Sequence, residues 1–455
     1  MVYSTTSSGT AAQSRAVIPA KRSRARSLPS IGVLDAIAFL APMLRFVQID
    51  VLGRLYLTDL LLAGLLLFLL IRSGRRLSAR LPRTAILLLV VWLLAQVVTD
   101  LIRGSAFHDY ARGWAMIGFA LINFCALYLL LAGKPKRLVL FAVGAALGQI
   151  AGYFIAPNDY ALGDPWKFGY GTGVSWLLVL LAIGLARGRR LSRMWPAAVL
   201  LLVALLNIFM GFRSAGGIAF LTACYLAVQA VRGTRSTATQ IRPRQLFVLG
   251  AVAALGAWGG MQLYEYSVEA GWLGAEARQK YEMQAAGEYG LLLGGRSEFL
   301  VSSLAVLESP VIGHGSWAKD CRYASLYVEL KREAGYFPGA ENEKCLIPAH
   351  SHLMGAWVQA GVLGAVFWLW VLTLPVRTLA RLYATRERLT PLVALLAFLL
   401  LWDIFFSPFG GDRRFMTPFY MVLMMSYLPA GTKRWPVTPG APAQLAANPL
   451  SEVYR

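Results

Sequence analysis

Apolar runs long enough to cross a lipid bilayer recur along almost the whole of this sequence, and no other feature limits its fold so tightly. Thr84–Ile102 and Trp195–Met210 are two of them. Crossing the hydrocarbon as a helix takes about 20 apolar residues. Backbone N–H and C=O groups in lipid must be satisfied internally, so such runs are helices or strands of a closed barrel. Their length and lack of alternation exclude a barrel. Composition agrees, with 57% hydrophobic and only 15% charged residues, against about 25% charged in a soluble domain.

A bilayer-length window gives about twelve spans, with cores near 31–49, 56–72, 84–102, 113–132, 137–156, 169–186, 195–211, 214–231, 246–264, 351–374, 391–407 and 414–429. Asp35 and Arg45 interrupt the first, and the seventh and eighth meet at a turn, Gly211-Phe212-Arg213. The expected class is an all-α, polytopic membrane protein. Its expected divisions are a basic, disordered cytoplasmic tail (1–30), nine helices (31–264), a large outer segment (265–349), three further helices (350–430) and a second cytoplasmic tail (431–455). The first thirty residues show no short apolar core followed by a small-residue cleavage site, so they read as a tail and not as a signal peptide.

The formal charge of +21 raises nucleic acid as a partner, but its placement argues otherwise. Arg72, Arg75, Arg76, Arg80 and Arg83 share one loop; Lys134, Lys136 and Arg137 share another. Further groups fall at Arg187–Arg193, Arg232–Arg244 and Arg377–Arg388. These are alternate loops, which is the positive-inside pattern, and it places both termini in the cytoplasm. No nucleic-acid partner is expected.

The outer segment 265–349 is acidic and carries Phe299, Leu300, Leu304 and Leu307 at helical spacing. Long connections are uncommon unless functional or disordered, and this one is expected to fold as a mainly helical periplasmic cap. It holds Cys321 and Cys345. An oxidising compartment makes a disulfide between them the expected state, contributing roughly 3 kcal/mol by restricting the unfolded chain. Cys125 and Cys224 lie in apolar helices and read as small core residues.

All four histidines, His108, His314, His350 and His352, fall on the outer side of this topology. Histidine titrates near neutral pH and is the commonest proton-transfer group. His350 stands where the outer segment enters a span, accessible from water and held on a rigid element. It is either a working group or an interfacial residue at a helix start. His350 and His352, two positions apart, do not face one another on a helix. No metal site is expected.

Two arginines stand out. Arg213, in Gly-Phe-Arg-Ser-Ala-Gly-Gly, lies at an outer turn against the charge trend. A guanidinium there forks onto phosphate or carboxylate, unless it snorkels at a helix end. Arg296, in Leu-Gly-Gly-Arg-Ser-Glu, precedes the amphipathic stretch of the cap. Its glycines permit close approach of a ligand, and the alternative is a solvated charge paired with Glu298 or Glu308.

Taken together, Phe212-Arg213-Ser214, Gly295-Arg296, Pro310-Val311-Ile312-Gly313-His314-Gly315 and His350-Ser351-His352-Leu353-Met354 with Gly361 and Gly364 resemble the O-antigen ligase and O-antigen polymerase family of bacterial membrane glycosyltransferases. The best-matched part covers roughly the last third of the chain. Two positions depart from the family pattern: Ser351 replaces an Asn, and Gln359 replaces an acidic residue. The resemblance implies a GT-C-like, metal-independent enzyme of the inner membrane without a cofactor. It implies transfer of a glycan from undecaprenyl diphosphate to an acceptor hydroxyl on the periplasmic face. The acceptor is a saccharide or lipid A-core. It makes His350 the catalytic base and Arg213 and Arg296 the diphosphate clamp. A polymerase joining lipid-linked repeat units is the alternative, and a polysaccharide-related transporter a second.

Overall fold

A computed structural model describes residues 32–51, 53–186, 193–231, 297–333 and 344–429, with scattered positions between 258 and 282. The expected ninth span (246–264), Arg296 and both tails lie outside these residues, apart from isolated positions of that span. Every other expected span overlaps a helix, although the first is helical only over Val33–Met43, too short to cross a bilayer. In chain order these are α1 (Val33–Met43), α2 (Leu57–Ser73), α3 (Arg80–Arg103), α4 (Phe107–Leu131), α5 (Pro135–Ile155), the short α6 (Asp159–Gly163), α7 (Gly171–Leu185), α8 (Trp195–Phe209) and α9 (Arg213–Val231). After a gap come α10 (Ser297–Glu308), α11 (Cys321–Glu333), α12 (His352–Thr385), α13 (Thr390–Phe406) and α14 (Arg413–Ser426). A two-stranded hairpin, β1 (Gln48–Asp50) with β2 (Arg54–Tyr56), joins α1 to α2.

Among the described residues, seven helices are long and apolar enough to cross a membrane, and α8 and α13 are shorter apolar helices. The chain is therefore a mostly helical, membrane-embedded protein. Long apolar side chains such as Ile71, Leu101 and Phe154 stay exposed on the outside of the bundle, where lipid takes the place of water. Small residues bring backbones together inside. On α5 a Cβ at Gly144 would meet the Phe39 carbonyl at 2.0 Å and one at Gly148 the Met43 Cα at 2.6 Å, so α1 packs there at backbone contact.

The bundle has a basic end and a cap end. At the basic end, guanidinium groups cover the carbonyls that helix C-termini leave open. Arg76 donates to Leu129 O (3.1 Å) and Ala132 O (2.5 Å), Arg137 to Leu130 O (3.2 Å), and Arg386 to Gln229 O. At the cap end, α10 packs on α11 and the start of α12, and the segment that follows α10 lies against α3 and α4. Asp100 of α3 accepts from Ser316 N (2.6 Å), Ser316 Oγ (2.7 Å) and Trp114 Nε1 (2.8 Å), pinning the segment after α10.

The sequence reading expects α12 to be one continuous span; it is two legs. Gly361 has φ +64° and ψ −161°, a left-handed conformation that breaks the helix. The ring of His352 lies 4.7 Å from that of Trp368. On a continuous helix those positions would stand about 24 Å apart. The first leg (352–360) is therefore folded back on the second (362–385). Carbonyl oxygens of the turn after α10 fill the hinge: a Cβ on Gly361 would meet Val311 O at 1.9 Å. His314 N and Gly315 N bond Val358 O (2.7 Å) and Gln359 O (3.0 Å) at the end of the first leg.

Candidate functional site

His350 is exposed, just ahead of α12. Ser351 caps that helix, accepting from Met354 N at 3.1 Å while its hydroxyl donates to Ile404 O at 2.7 Å. The Ser that stands for the expected Asn thus seats the helix start on α13. His350 shares a small open depression with Glu298, Phe299 and Ser302 of α10 and Phe405 and Phe406 of α13. Glu298 accepts from the Tyr327 hydroxyl at 2.8 Å and pairs with Lys331 at 3.5 Å. Burial alone would raise its pKa. The Lys331 ammonium, the Tyr327 hydroxyl, its own backbone and His350 together outweigh burial and hold it below the usual range. A carboxylate beside an imidazole can orient the ring and stabilise its protonated form.

The other histidines are spoken for differently. His352 is fully buried, its Nδ1 bonded to Ser407 O and its ring between Trp368 and Phe409. His314 bonds Ala305 O through Nε2 at 2.8 Å. His108 is exposed at the start of α4.

Arg213 is the first residue of α9 and is half-buried, following a left-handed Gly211 that turns the chain from α8. The far end of α9 is tied to the far end of α12: Tyr225 OH donates to Leu379 O (2.7 Å) and Gln229 Nε2 to Leu382 O (2.5 Å). The two helices run the same way, and their equal rise puts Arg213 level with Phe367–Trp368, the layer in which His352 lies. Arg296 lies outside the described residues, immediately before α10. Glu298, a pairing considered for Arg296, is held by Tyr327 and Lys331.

The same layer holds a charged cluster that the sequence reading did not single out. Arg414 pairs with the fully buried Asp59 through Nε (2.9 Å) and Nη2, and also bonds Arg54 O at 2.8 Å. Asn123 Nδ2 donates to Asp59 at 2.8 Å. Arg413 pairs with buried Asp403 (3.4 Å) and Arg45 with Asp412 (3.3 Å). The signal was available: Gly410-Gly411-Asp412-Arg413-Arg414 sits at a turn where the charge pattern calls for few cations, the reasoning that selected Arg213.

Cys321 and Cys345 are joined in a disulfide. It fastens α11 to the strand-like segment that leads to His350, where Asp320 N bonds Cys345 O (2.7 Å) and Ile347 N bonds Ala318 O (2.9 Å). Among the described residues, no three His, Cys, Asp or Glu side chains gather as a metal site. No protein-family model, no curated protein and no solved structure matches this chain.

Proposed function

We propose that this protein is a membrane glycosyltransferase of the O-antigen ligase or polymerase type, acting on the periplasmic side of the bacterial inner membrane. The observation that supports the reading is the meeting of two distant sequence pieces at one end of the bundle, with a third at a similar level. The 310–315 turn locks the hinge of α12, the 350–352 segment starts the leg that the hinge folds back, and Arg213 stands in the same layer.

In this reading the donor is a glycan on undecaprenyl diphosphate and the acceptor a hydroxyl of a saccharide or of lipid A-core. His350 takes the acceptor proton as the new C–O bond forms at the anomeric carbon. The bond from that carbon to the diphosphate oxygen breaks, and the diphosphate leaves with the electron pair. Glu298 steadies the imidazolium. Arg213 and Arg296 bind the leaving diphosphate, where preorganised donors contribute several kcal/mol. His350→Ala is expected to abolish glycan transfer while the protein still inserts. A deletion strain complemented with this variant and showing normal surface polysaccharide overturns the assignment. A ligase defect leaves long lipid-linked polymer and a polymerase defect leaves single repeats, so the same glycan profile separates the two.

One observation favours transport as a second reading. A helix broken at Gly361, with ion pairs such as Asp59–Arg414 buried inside the bundle, is an arrangement found in transporters. Uptake or counterflow of a lipid-linked glycan in vesicles, unaffected by His350→Ala, favours that reading over transfer.

A further inference from the structure

The disulfide between Cys321 and Cys345 joins two pieces that are already joined. Residues 318–320 and 345–347 pair as a short antiparallel ladder, with Lys319 opposite Leu346. Asp320 N bonds Cys345 O (2.7 Å) and Ile347 N bonds Ala318 O (2.9 Å). α11 in turn is held on α10 by side chains: Tyr327 and Lys331 meet Glu298, and Tyr323 and Arg322 meet Glu308. α11 therefore keeps its seat without the S–S bond. The segment downstream of the ladder has less to hold it. The ladder ends at Ile347, and only Pro348 and Ala349 separate it from His350.

Two observations mark the bond as one that can be opened. Cys321, the first residue of α11, is exposed, whereas Cys345 is half-buried. A thiolate from solution therefore meets Cys321 first. Cys345 also has φ +51°, as does Trp317 just ahead of the facing strand of the ladder. That is the left-handed region, which side chains seldom adopt. Such conformations persist only where the surroundings hold them. At Cys345 the holding groups are the S–S bond and the hydrogen bond from Asp320 N.

We propose that Cys321–Cys345 is a redox-sensitive latch on His350, opened by a dithiol. A thiolate of the dithiol attacks the Cys321 sulfur, the S–S bond breaks, and Cys345 leaves as a thiolate and takes a proton. The second thiol of the dithiol attacks the mixed disulfide and releases Cys321 as a thiol. Two electrons and two protons pass to the protein, and the dithiol becomes a disulfide. α11 keeps Glu298 through Tyr327 and Lys331. Cys345 relaxes to an ordinary φ, and residues 345–349 leave the ladder. His350 and Glu298, which share one depression while the bond is intact, then part. The consequence for glycan transfer rests on the reading of His350 as the base; the release itself does not.

Hydrogen exchange tests this on the full-length protein in detergent: oxidised, after dithiothreitol, and after reoxidation. Thiols at Cys321 and Cys345 are counted by mass after alkylation. Reduction is expected to raise exchange over 345–350 roughly tenfold, to leave 321–333 and the bundle unchanged, and to be reversed by reoxidation. Cys321→Ser with Cys345→Ser should exchange like the reduced protein, with or without dithiothreitol. Resistance of the bond to dithiothreitol in the folded protein overturns the proposal. So does unchanged exchange over 345–350 after full reduction, since backbone bonds alone then hold the segment. Equal loosening of 345–350 and 321–333 overturns it as well, by making the bond a staple for α11 too. Glycan transfer by the same samples is expected to fall on reduction and return on reoxidation. Transfer that ignores a demonstrated release leaves the latch standing and overturns the role given to His350.

Discussion

Arginine does different work at the two ends of this bundle. At the basic end Arg76 and Arg386 reach helix C-terminal carbonyls near the surface, and Arg137 reaches Leu130 O while also pairing with Asp35 at 2.7 Å. Cations there are favoured by the helix dipole and lose little hydration. At the opposite end Arg414, Arg413 and Arg45 face carboxylates, and the Asp59 and Asp403 members of those pairs are buried. Ions removed from water hold together only as complete sets. The first group trims helix ends. The second fixes which helices meet, since Arg414 and Asp59 tie the last helix to the second.

That contrast breaks most readily at Arg414. Arg414→Leu strands the Asp59 carboxylate and is expected to cost about 3–5 kcal/mol, enough to deplete folded protein in detergent. The double change Asp59→Leu with Arg414→Leu removes both charges and is expected to recover much of the loss. The measurement is the thermal midpoint of the monodisperse peak for each variant. Equal losses in the single and double variants refute the pairing.

Gly361 is next in expected size. Gly361→Ala forces a side chain into the left-handed region and onto Val311 O, for a cost of about 3 kcal/mol. Gly211→Ala has the same backbone demand at φ +76° but open space around the Cβ, and about 1 kcal/mol is expected. Thermal midpoints of the two variants separate the steric part from the conformational part. Equal shifts count against the folded hinge.

The difference between those two glycines also marks how far the sequence was legible. Helix positions followed from apolar length alone, because lipid leaves the backbone no alternative. The turn at Gly211 was legible too, since it interrupts two apolar runs. The fold-back at Gly361 was not: its cause is a carbonyl from the 311–312 turn, far away in sequence, and an apolar run reads the same whether straight or doubled back. His350 and Arg213 stood out as polar residues at helix ends. The pairing of Arg414 with Asp59 was not legible: Arg414 is unusual at its turn, but its partner lies far off in sequence and only the fold joins them.

Smaller effects belong to the basic end. Arg76→Ala or Arg386→Ala removes carbonyl caps near the surface, and about 1 kcal/mol is expected for each. Replacement by Lys is expected to recover part of it. Thermal midpoints in the same detergent provide the comparison with Arg414→Leu, and a loss as large as that one erases the distinction between the two ends.

The smallest effect concerns Glu298, whose partners Tyr327 and Lys331 are both on α11. Its folded-state pKa lies below the ordinary 4.5. The sign follows from linkage: a depressed carboxyl contributes stability that is complete above its unfolded value and is lost as pH falls through its folded value. Acid should therefore loosen α11 from α10 below about pH 4. Hydrogen exchange over residues 321–333, corrected for the intrinsic rate at each pH, is expected to rise in that window. Glu298→Gln should flatten the dependence, since an amide still accepts from Tyr327 but no longer titrates. An unchanged acid profile in that variant assigns the loosening to another group, with Glu308 and Asp320 beside Arg322 the next to examine.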